Sequence, residues 1–360
     1  LKHLALVLAG AMILPAIATA DIKMGVIIGF TGPIESLTPD MGGSAEVAFK
    51  EASDSGLLLG GQKIVSVRAD STCIDNAAAT AAAERLVTAE KVAGIMGADC
   101  SGVTTAVANN VAVPNGVPMI SPSATSPALT TIADNGYFFR TAPSDARQGQ
   151  VLAAITVERG ITSVAVTYVN SDYGKGLSDS FGKAFQALGG TVTISVPHET
   201  GKADYSAEVA SMDSAGGDAM AVFGYVNQGG PGIMQASLDS GSFDKFILAD
   251  GMYGDDLLTN VEGDLTGTFG TVPGTDSKGA ATYADMANAA GLKGSGPFTG
   301  ESYDAAALLI LAMQSAGSTD GAAIASNVMG VANAPGEKIM PGELAKGLRI
   351  LANGGAVDYV

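Results

Sequence analysis

Residues 64–101 read IVSVRADSTCIDNAAATAAAERLVTAEKVAGIMGADCS. A β-branched run at 64–68 leads through polar Asp70-Ser71-Thr72 to an alanine-rich helical stretch at 77–91, and then to a second apolar run at 92–97. Apolar strands that do not alternate with polar residues are buried on both faces, the habit of parallel sheets covered by helices. The same rhythm extends outward. Strands are expected at 22–30 and 117–121, with helices at 43–52 and 104–111. After Arg140-Thr141-Ala142-Pro143 the pattern restarts with helices at 147–159, 176–188, 205–212 and 232–238. These alternate with strands at 163–169, 191–196, 219–223, 246–248 and 267–271. That is too many strands for one compact doubly wound sheet, and 360 residues exceed one ordinary domain. The expectation is an α/β chain of two doubly wound parallel-sheet lobes joined by a hinge.

Composition narrows the function. The chain carries 19 Lys+Arg against 36 Asp+Glu, a formal charge of −17 that repels phosphate backbones and argues against nucleic acid as a partner. With 47% hydrophobic and 15% charged residues it is the opposite of a disordered chain. Lys2 and His3 precede an apolar run at 4–14, then Pro15 and Ala18-Thr19-Ala20. This is the layout of a secretory signal peptide cleaved after Ala20. The run is too short to span a bilayer, and no later stretch offers the roughly 18 uninterrupted apolar residues that a membrane helix needs. No cysteine lies near the cut, so a lipid anchor is not expected, and the mature chain reads as soluble and periplasmic. Loss of Lys2 takes its charge to −18 and loss of His3 leaves one histidine, His198.

A Ser-His-Asp triad or a zinc site would have to use His198, which follows a strand in Val196-Pro197-His198-Glu199-Thr200 and reads as a solvated loop residue. There is no Gly-x-Gly-x-x-Gly after a strand, no phosphate-binding P-loop and no Gly-x-Ser-x-Gly elbow. Ser180 and Lys183 match Ser-x-x-Lys without its companion motifs. A binder is expected, not an enzyme, with no cofactor and no metal. A secreted α/β hydrolase is the competing reading of a different class.

Cys73 and Cys100 are the only cysteines. In an oxidising compartment an even count reads as a disulfide, and two adjacent parallel strands would bring these two strand ends together. Two buried free thiols are the alternative. Three strand ends are polar: Thr31-Gly32-Pro33, Cys100-Ser101-Gly102 and Ser121-Pro122-Ser123-Ala124-Thr125. Ligands of open α/β sheets bind beyond the carboxyl ends of strands, so these loops should line one crevice. Hydroxyls and backbone N–H groups at helix starts suit a carboxylate. Ser101 and Thr125 also suit ordinary N-caps, and both readings stand at this point.

The opening Asp21-Ile22-Lys23-Met24-Gly25-Val26, followed by Thr31-Gly32-Pro33, resembles that of type I periplasmic binding proteins. More narrowly it resembles the leucine/isoleucine/valine-binding branch that serves branched-chain amino acid ABC transporters. Asp70-Ser71-Thr72-Cys73, Gly97-Ala98-Asp99-Cys100-Ser101 and Met119-Ile120-Ser121-Pro122-Ser123-Ala124-Thr125 are similar to that family's first-lobe loops. Asp172-Tyr173-Gly174-Lys175-Gly176 is similar to its second-lobe Tyr-Gly-x-Gly segment. Phe223-Gly224-Tyr225, Ala249-Asp250-Gly251 and Ser302-Tyr303-Asp304-Ala305-Ala306 follow in order.

The likeness implies a Venus-flytrap fold that closes on a ligand between its lobes, and a Cys73–Cys100 disulfide. It implies that an amino acid's carboxylate is held by Ser101 and by the Ser123-Ala124-Thr125 loop. The ammonium would be met by the Ser123 carbonyl, Tyr225 and Asp250, with Tyr173 nearby. It implies a first lobe at 21–141 and 273–340, a second lobe at 142–272, and a segment at 341–360 leading back towards the second lobe. The implied partners are a small amino acid-like ligand and the permease subunits of an ABC transporter, with the protein itself a monomer. A ligand sensor signalling to a membrane receptor shares the fold.

Three departures qualify the likeness. Asp250 is shorter than the family's usual glutamate. The loop Ile34-Glu35-Ser36-Leu37-Thr38-Pro39-Asp40 lacks the usual aromatic, so no side-chain preference is implied. Tyr225 and Phe298 are candidates for an apolar wall, Phe298 equally for the core. The family usually continues past Gly354-Gly355-Ala356-Val357-Asp358-Tyr359-Val360, and this chain begins with Leu1. An incomplete or differently started gene product is therefore expected.

Overall fold

The computed structural model describes residues 20–360, so the leader expected at 1–20 lies, but for Ala20, outside the described residues. The chain opens as β1 (Ile22–Ile28), α1 (Thr38–Ser55), β2 (Ile64–Asp70), α2 (Asn76–Glu84), β3 (Ile95–Gly97), α3 (Ser101–Val107), β4 (Met119–Ser121) and β5 (Phe138–Arg140). These five strands form one parallel sheet in the order β2-β1-β3-β4-β5. It continues as α4 (Asp145–Glu158), β6 (Ser163–Val169), α5 (Asp172–Ala187), β7 (Thr191–His198), α6 (Ser206–Ala215), β8 (Ala219–Phe223), α7 (Gly230–Ser240), β9 (Phe246–Leu248), α8 (Asp255–Asn260) and β10 (Phe269–Gly270). The second parallel sheet runs β10-β9-β8-β6-β7. Then come α9 (Lys278–Ala289), α10 (Thr299–Ala316), α11 (Gly321–Val331), β11 (Glu337–Ile339), α12 (Leu344–Ala352) and β12 (Val357–Tyr359), with β11 and β12 paired in parallel. The fold is two parallel-sheet α/β lobes.

Burial follows sheet position. Every residue of the central strand β8 is buried, and β1 buries all but Lys23. The edge strand β2 is half exposed, so its β-branched run sits on a one-sided surface. Five of the helices, α2, α4, α5, α9 and α11, start where a side chain satisfies a free N–H group of the first turn. Asp75 accepts from Ala77 N at 2.9 Å and Ala78 N at 3.0 Å, and Ser171 accepts from Gly174 N at 3.3 Å. Helices α4 and α5 pack closely because Gly149 has no side chain: a Cβ there would lie 2.6 Å from Phe181 N. The long apolar helix α10 is the axis of the first lobe's outer core, which includes Tyr303, Leu309, Ile310 and Leu311. Leu344 and Leu348 of α12, with Val357 and Tyr359 of β12, pack into that same core. Within the described residues, segment 341–360 therefore lies against the first lobe.

Two readings of the sequence need correction. Strand β5 was not expected; it is three residues long and follows a loop, too short for a periodicity to register. His198 is not a solvated loop residue. Strand β7 runs two residues further than the apolar pattern, and His198 is its buried last residue. Its Nδ1 lies 2.9 Å from Thr167 Oγ1 and its ring meets Tyr205 edge-on. Burial pushes its pKa down to about 4, so it is neutral at physiological pH.

Candidate functional site

The carboxyl ends of β1, β3 and β4 converge as one hydrogen-bonded platform. Asp99 is its hub: Oδ2 accepts from Gly29 N at 2.7 Å and Oδ1 from Ser71 Oγ at 2.7 Å. Ser123 Oγ donates to the Asp99 carbonyl at 3.0 Å, and Ser121 Oγ accepts from Ala124 N at 3.0 Å. Cys73 and Cys100 are joined in a disulfide, with their Cα atoms 5.1 Å apart, which ties the ends of β2 and β3 together. Neither Ser101 nor Thr125 is an N-cap. Cys100 occupies the cap position of α3, while Ser101 lies in its first turn and accepts from Ser126 N at 3.1 Å. Ser126 caps the short turn after Thr125.

The second lobe supplies an aromatic pair and an acid. Tyr173, in the first turn of α5, stacks on Tyr225 with ring centroids 5.4 Å apart. The Tyr173 hydroxyl donates to Asp250 Oδ1 at 3.2 Å and accepts from Gly251 N at 3.2 Å. That approach requires glycine at 251, where a Cβ would lie 2.5 Å from Gly224 O and 3.0 Å from the Tyr173 hydroxyl oxygen.

The two halves face each other across a small cavity of about 30 Å³. Ser101, Ser123 and Asp99 line it from the first lobe; Tyr173, Tyr225, Asp250 and Gly251 line it from the second. Ile34, Leu37, Met41 and Phe298 form an apolar wall. Five of the seven residues expected at a ligand site thus come together: Ser101, Ser123, Tyr173, Tyr225 and Asp250. Ala124 and Thr125 are buried but do not line the cavity. Ile34, Leu37 and Met41 were not singled out from the sequence. The signal available was an apolar pair in the 34–40 loop, adjacent to a polar strand end. The lobes also touch at the rim, where Asn227 N donates to Pro33 O at 3.0 Å and Ser36 Oγ donates to Asn227 Oδ1 at 2.9 Å.

Residues 21–343 match the sequence profile described as "Periplasmic binding protein". This chain belongs to the periplasmic binding protein family. The Leu/Ile/Val-binding protein homolog 1 of Brucella abortus is 31% identical over 308 residues, covering 84% of this chain and 81% of the relative. Among solved structures, the branched-chain amino acid transporter substrate binding protein LivJ of Streptococcus pneumoniae, in complex with isoleucine, superposes with a TM-score of 0.74. It is 25% identical and is matched over 88% of this chain and 89% of its own. The leucine binding protein LivK of Thermotoga maritima gives 0.74 at 26% identity, over 87% and 88% of the two chains. Their solute-binding character agrees with the non-enzymatic reading of the sequence.

Electrostatics separates the two faces of this periplasmic binding protein's cleft. Burial raises the Asp250 carboxyl to about 6, while its hydrogen bonds, Tyr173's among them, pull it down. Burial raises Asp145 well above the usual carboxylate range, and the charge of Asp250 adds to the rise. Asp145 was not singled out from the sequence. Burial holds Tyr173 and Tyr225 up as well, so both remain neutral donors at physiological pH. Among the described residues, no helix is long and apolar enough to cross a membrane.

Proposed function

We propose that the protein is the extracytoplasmic substrate-binding subunit of an ABC importer and captures an amino acid with an apolar side chain between its lobes. One observation carries this reading: a single cavity joins hydroxyl donors on one lobe, a buried carboxylate on the other and an apolar wall beside them. A zwitterion needs both poles, because an unpaired buried charge is costly. Ser101 and Ser123 suit its carboxylate, Asp250 and Tyr225 its ammonium, and Ile34, Leu37, Met41 and Phe298 its side chain. Since the poles sit on different lobes, ligand binding favours the closed arrangement over the open one. The cavity holds little more than a water or two, so the lobes must part for a ligand to enter. In this reading the chain is exported by its leader, cleaved after Ala20, and delivers its ligand as a monomer to membrane permease subunits.

The test is a thermal-shift panel of the twenty amino acids. A ligand at 100 times its Kd adds about 2.7 kcal/mol of stability. Leucine, isoleucine or valine should raise the melting temperature; no response to any amino acid overturns the reading.

A further inference from the structure

Asp145 lies in the first turn of α4, just after the chain leaves the first lobe, and its side chain is fully buried. Neither of its carboxylate oxygens completes a hydrogen bond, although the Thr125 hydroxyl lies near enough to lower its pKa. Two more buried polar atoms beside it share that condition: Thr125 Oγ1 from the first lobe, whose carbonyl accepts from Asp145 N at 2.8 Å, and Gln148 Oε1, one turn further along α4. The cation that acts on it is Arg140 at the end of β5, whose guanidinium donates its hydrogen bonds elsewhere. It donates to Ala124 O at 3.1 Å, Ser126 O at 2.8 Å and Thr130 Oγ1 at 2.6 Å. The first turns of α4 are tied to the strand end that carries Asp250: Gln148 Nε2 donates to Thr271 O at 3.0 Å, just past β10, whose Gly270 pairs with Leu248, two residues before Asp250. Asp250 is the other charged group acting on Asp145.

A buried carboxylate with no donor is far more costly than one that is bonded, and a like charge beside it adds to the cost. A protonated carboxyl relieves both, because it gains one O–H donor and loses its charge. Gln148 Oε1 stands on the same helix face as an acceptor without a donor. We propose that Asp145 and Asp250 form one proton-sharing carboxylate pair. Asp145 keeps the proton at neutral pH, and Asp250 stays ionised to receive a ligand's ammonium. Asp145 is thus a positioning residue, which keeps the cation pole at a single negative charge.

The remaining titratable groups around the pair fit this. Tyr173 and Tyr225 are neutral, and Asp99, across the cavity, is bonded to Gly29 N and Ser71 Oγ. Burial raises both acids, Asp250 to about 6 and Asp145 well above the usual carboxylate range, and only Asp250 has a donor, the Tyr173 hydroxyl, to hold its charge. An ammonium and a proton then compete for Asp250. Affinity for an ammonium-bearing ligand is constant above about pH 6 and falls roughly tenfold per unit below it.

The ligand arm of the test rests on the amino-acid reading above; the titration arm does not. Carboxyl carbon NMR on the ligand-free protein, labelled at aspartate, follows both acids directly. The expected result is two linked steps, with Asp145 losing its proton after Asp250. In Asp250→Asn the Asp145 step should move to lower pH, since the neighbouring charge is gone. In Asp145→Asn the upper step should vanish. An Asp145 that titrates near the ordinary aspartate value in the wild-type protein, or that is unmoved by Asp250→Asn, overturns the pair. L-Leucine is the probe for the second arm, with Kd measured between pH 4.5 and 8. Linked titration without leucine binding leaves the pair standing and removes the amino-acid reading. Leucine binding with a Kd flat across this range removes the competition at Asp250, and with it the pair.

Discussion

Asp99 and Asp145 are both fully buried acids, and they are solved in opposite ways. Asp99 is bonded on both oxygens by groups of its own lobe, so its burial builds a rigid platform. Asp145 is bonded on neither, and it faces a second acid, Asp250. Asp99 is therefore satisfied without a ligand, whereas Asp145 is an acid that only a proton or a cation can offset. A satisfied buried network specifies a structure, while an unsatisfied one marks where chemistry from outside is received.

The largest effects should come from breaking each half at its centre. Asp250→Ala should weaken an amino-acid ligand by more than a hundredfold, about 3 kcal/mol or more, by leaving its ammonium unpaired. Its melting temperature without ligand should not fall; isothermal titration and thermal denaturation read the two quantities. Replacing Cys73 and Cys100 together by serine should do the reverse. It should remove about 3 kcal/mol of stability, from releasing a loop of 27 residues, while the refolded protein retains its ligand preference. Asp99→Ala should cost about 2 kcal/mol, since it orphans Gly29 N and the Ser71 hydroxyl. A stability change in Asp250→Ala equal to that in Asp99→Ala would erase the contrast.

Smaller effects sharpen it. Asn227→Ala removes the rim bonds from Ser36 and should cost about 1 kcal/mol of affinity, visible as faster ligand dissociation in stopped flow. The ligand-free protein should also be about 1 kcal/mol more stable at pH 6 than at pH 8. The sign follows from the raised acids, Asp250 and Asp304 at about 6 and Glu301 at about 7. An acid raised by folding contributes stability below its unfolded value, and that contribution is lost as pH rises through the folded one. His198, lowered to about 4, works the other way and loses its contribution as pH falls from 6.5 towards 4. Three buried acids outweigh one histidine in the upper window; denaturant unfolding at the two pH values measures the difference.

The parallel strands and the converging first-lobe loops were legible because each is a local pattern. A run such as 219–223 has no exposed face, and hydroxyls at successive strand ends must share one edge of a sheet. Tyr173, Tyr225 and Asp250 were reachable only through family likeness, since an acid after a short strand carries no local signature. Asp145 was illegible for a physical reason. After Ser144, an aspartate in the first turn reads as an ordinary favourable interaction with the helix dipole. Only the crossing of the chain between lobes buries it beside Asp250. His198 misled because the apolar run stops at Val196 while the β7 ladder runs on to pair His198 with Val169.

In the proposed function the cleft reads both ends of a zwitterion. Isothermal titration with L-leucine, 4-methylpentanoate and isoamylamine tests it directly, because the last two each keep the side chain and delete one pole. Leucine should bind, and each analogue should be weaker by at least a hundredfold, about 3 kcal/mol. Equal affinity for leucine and 4-methylpentanoate would contradict it, since Asp250 would then have no ammonium to meet.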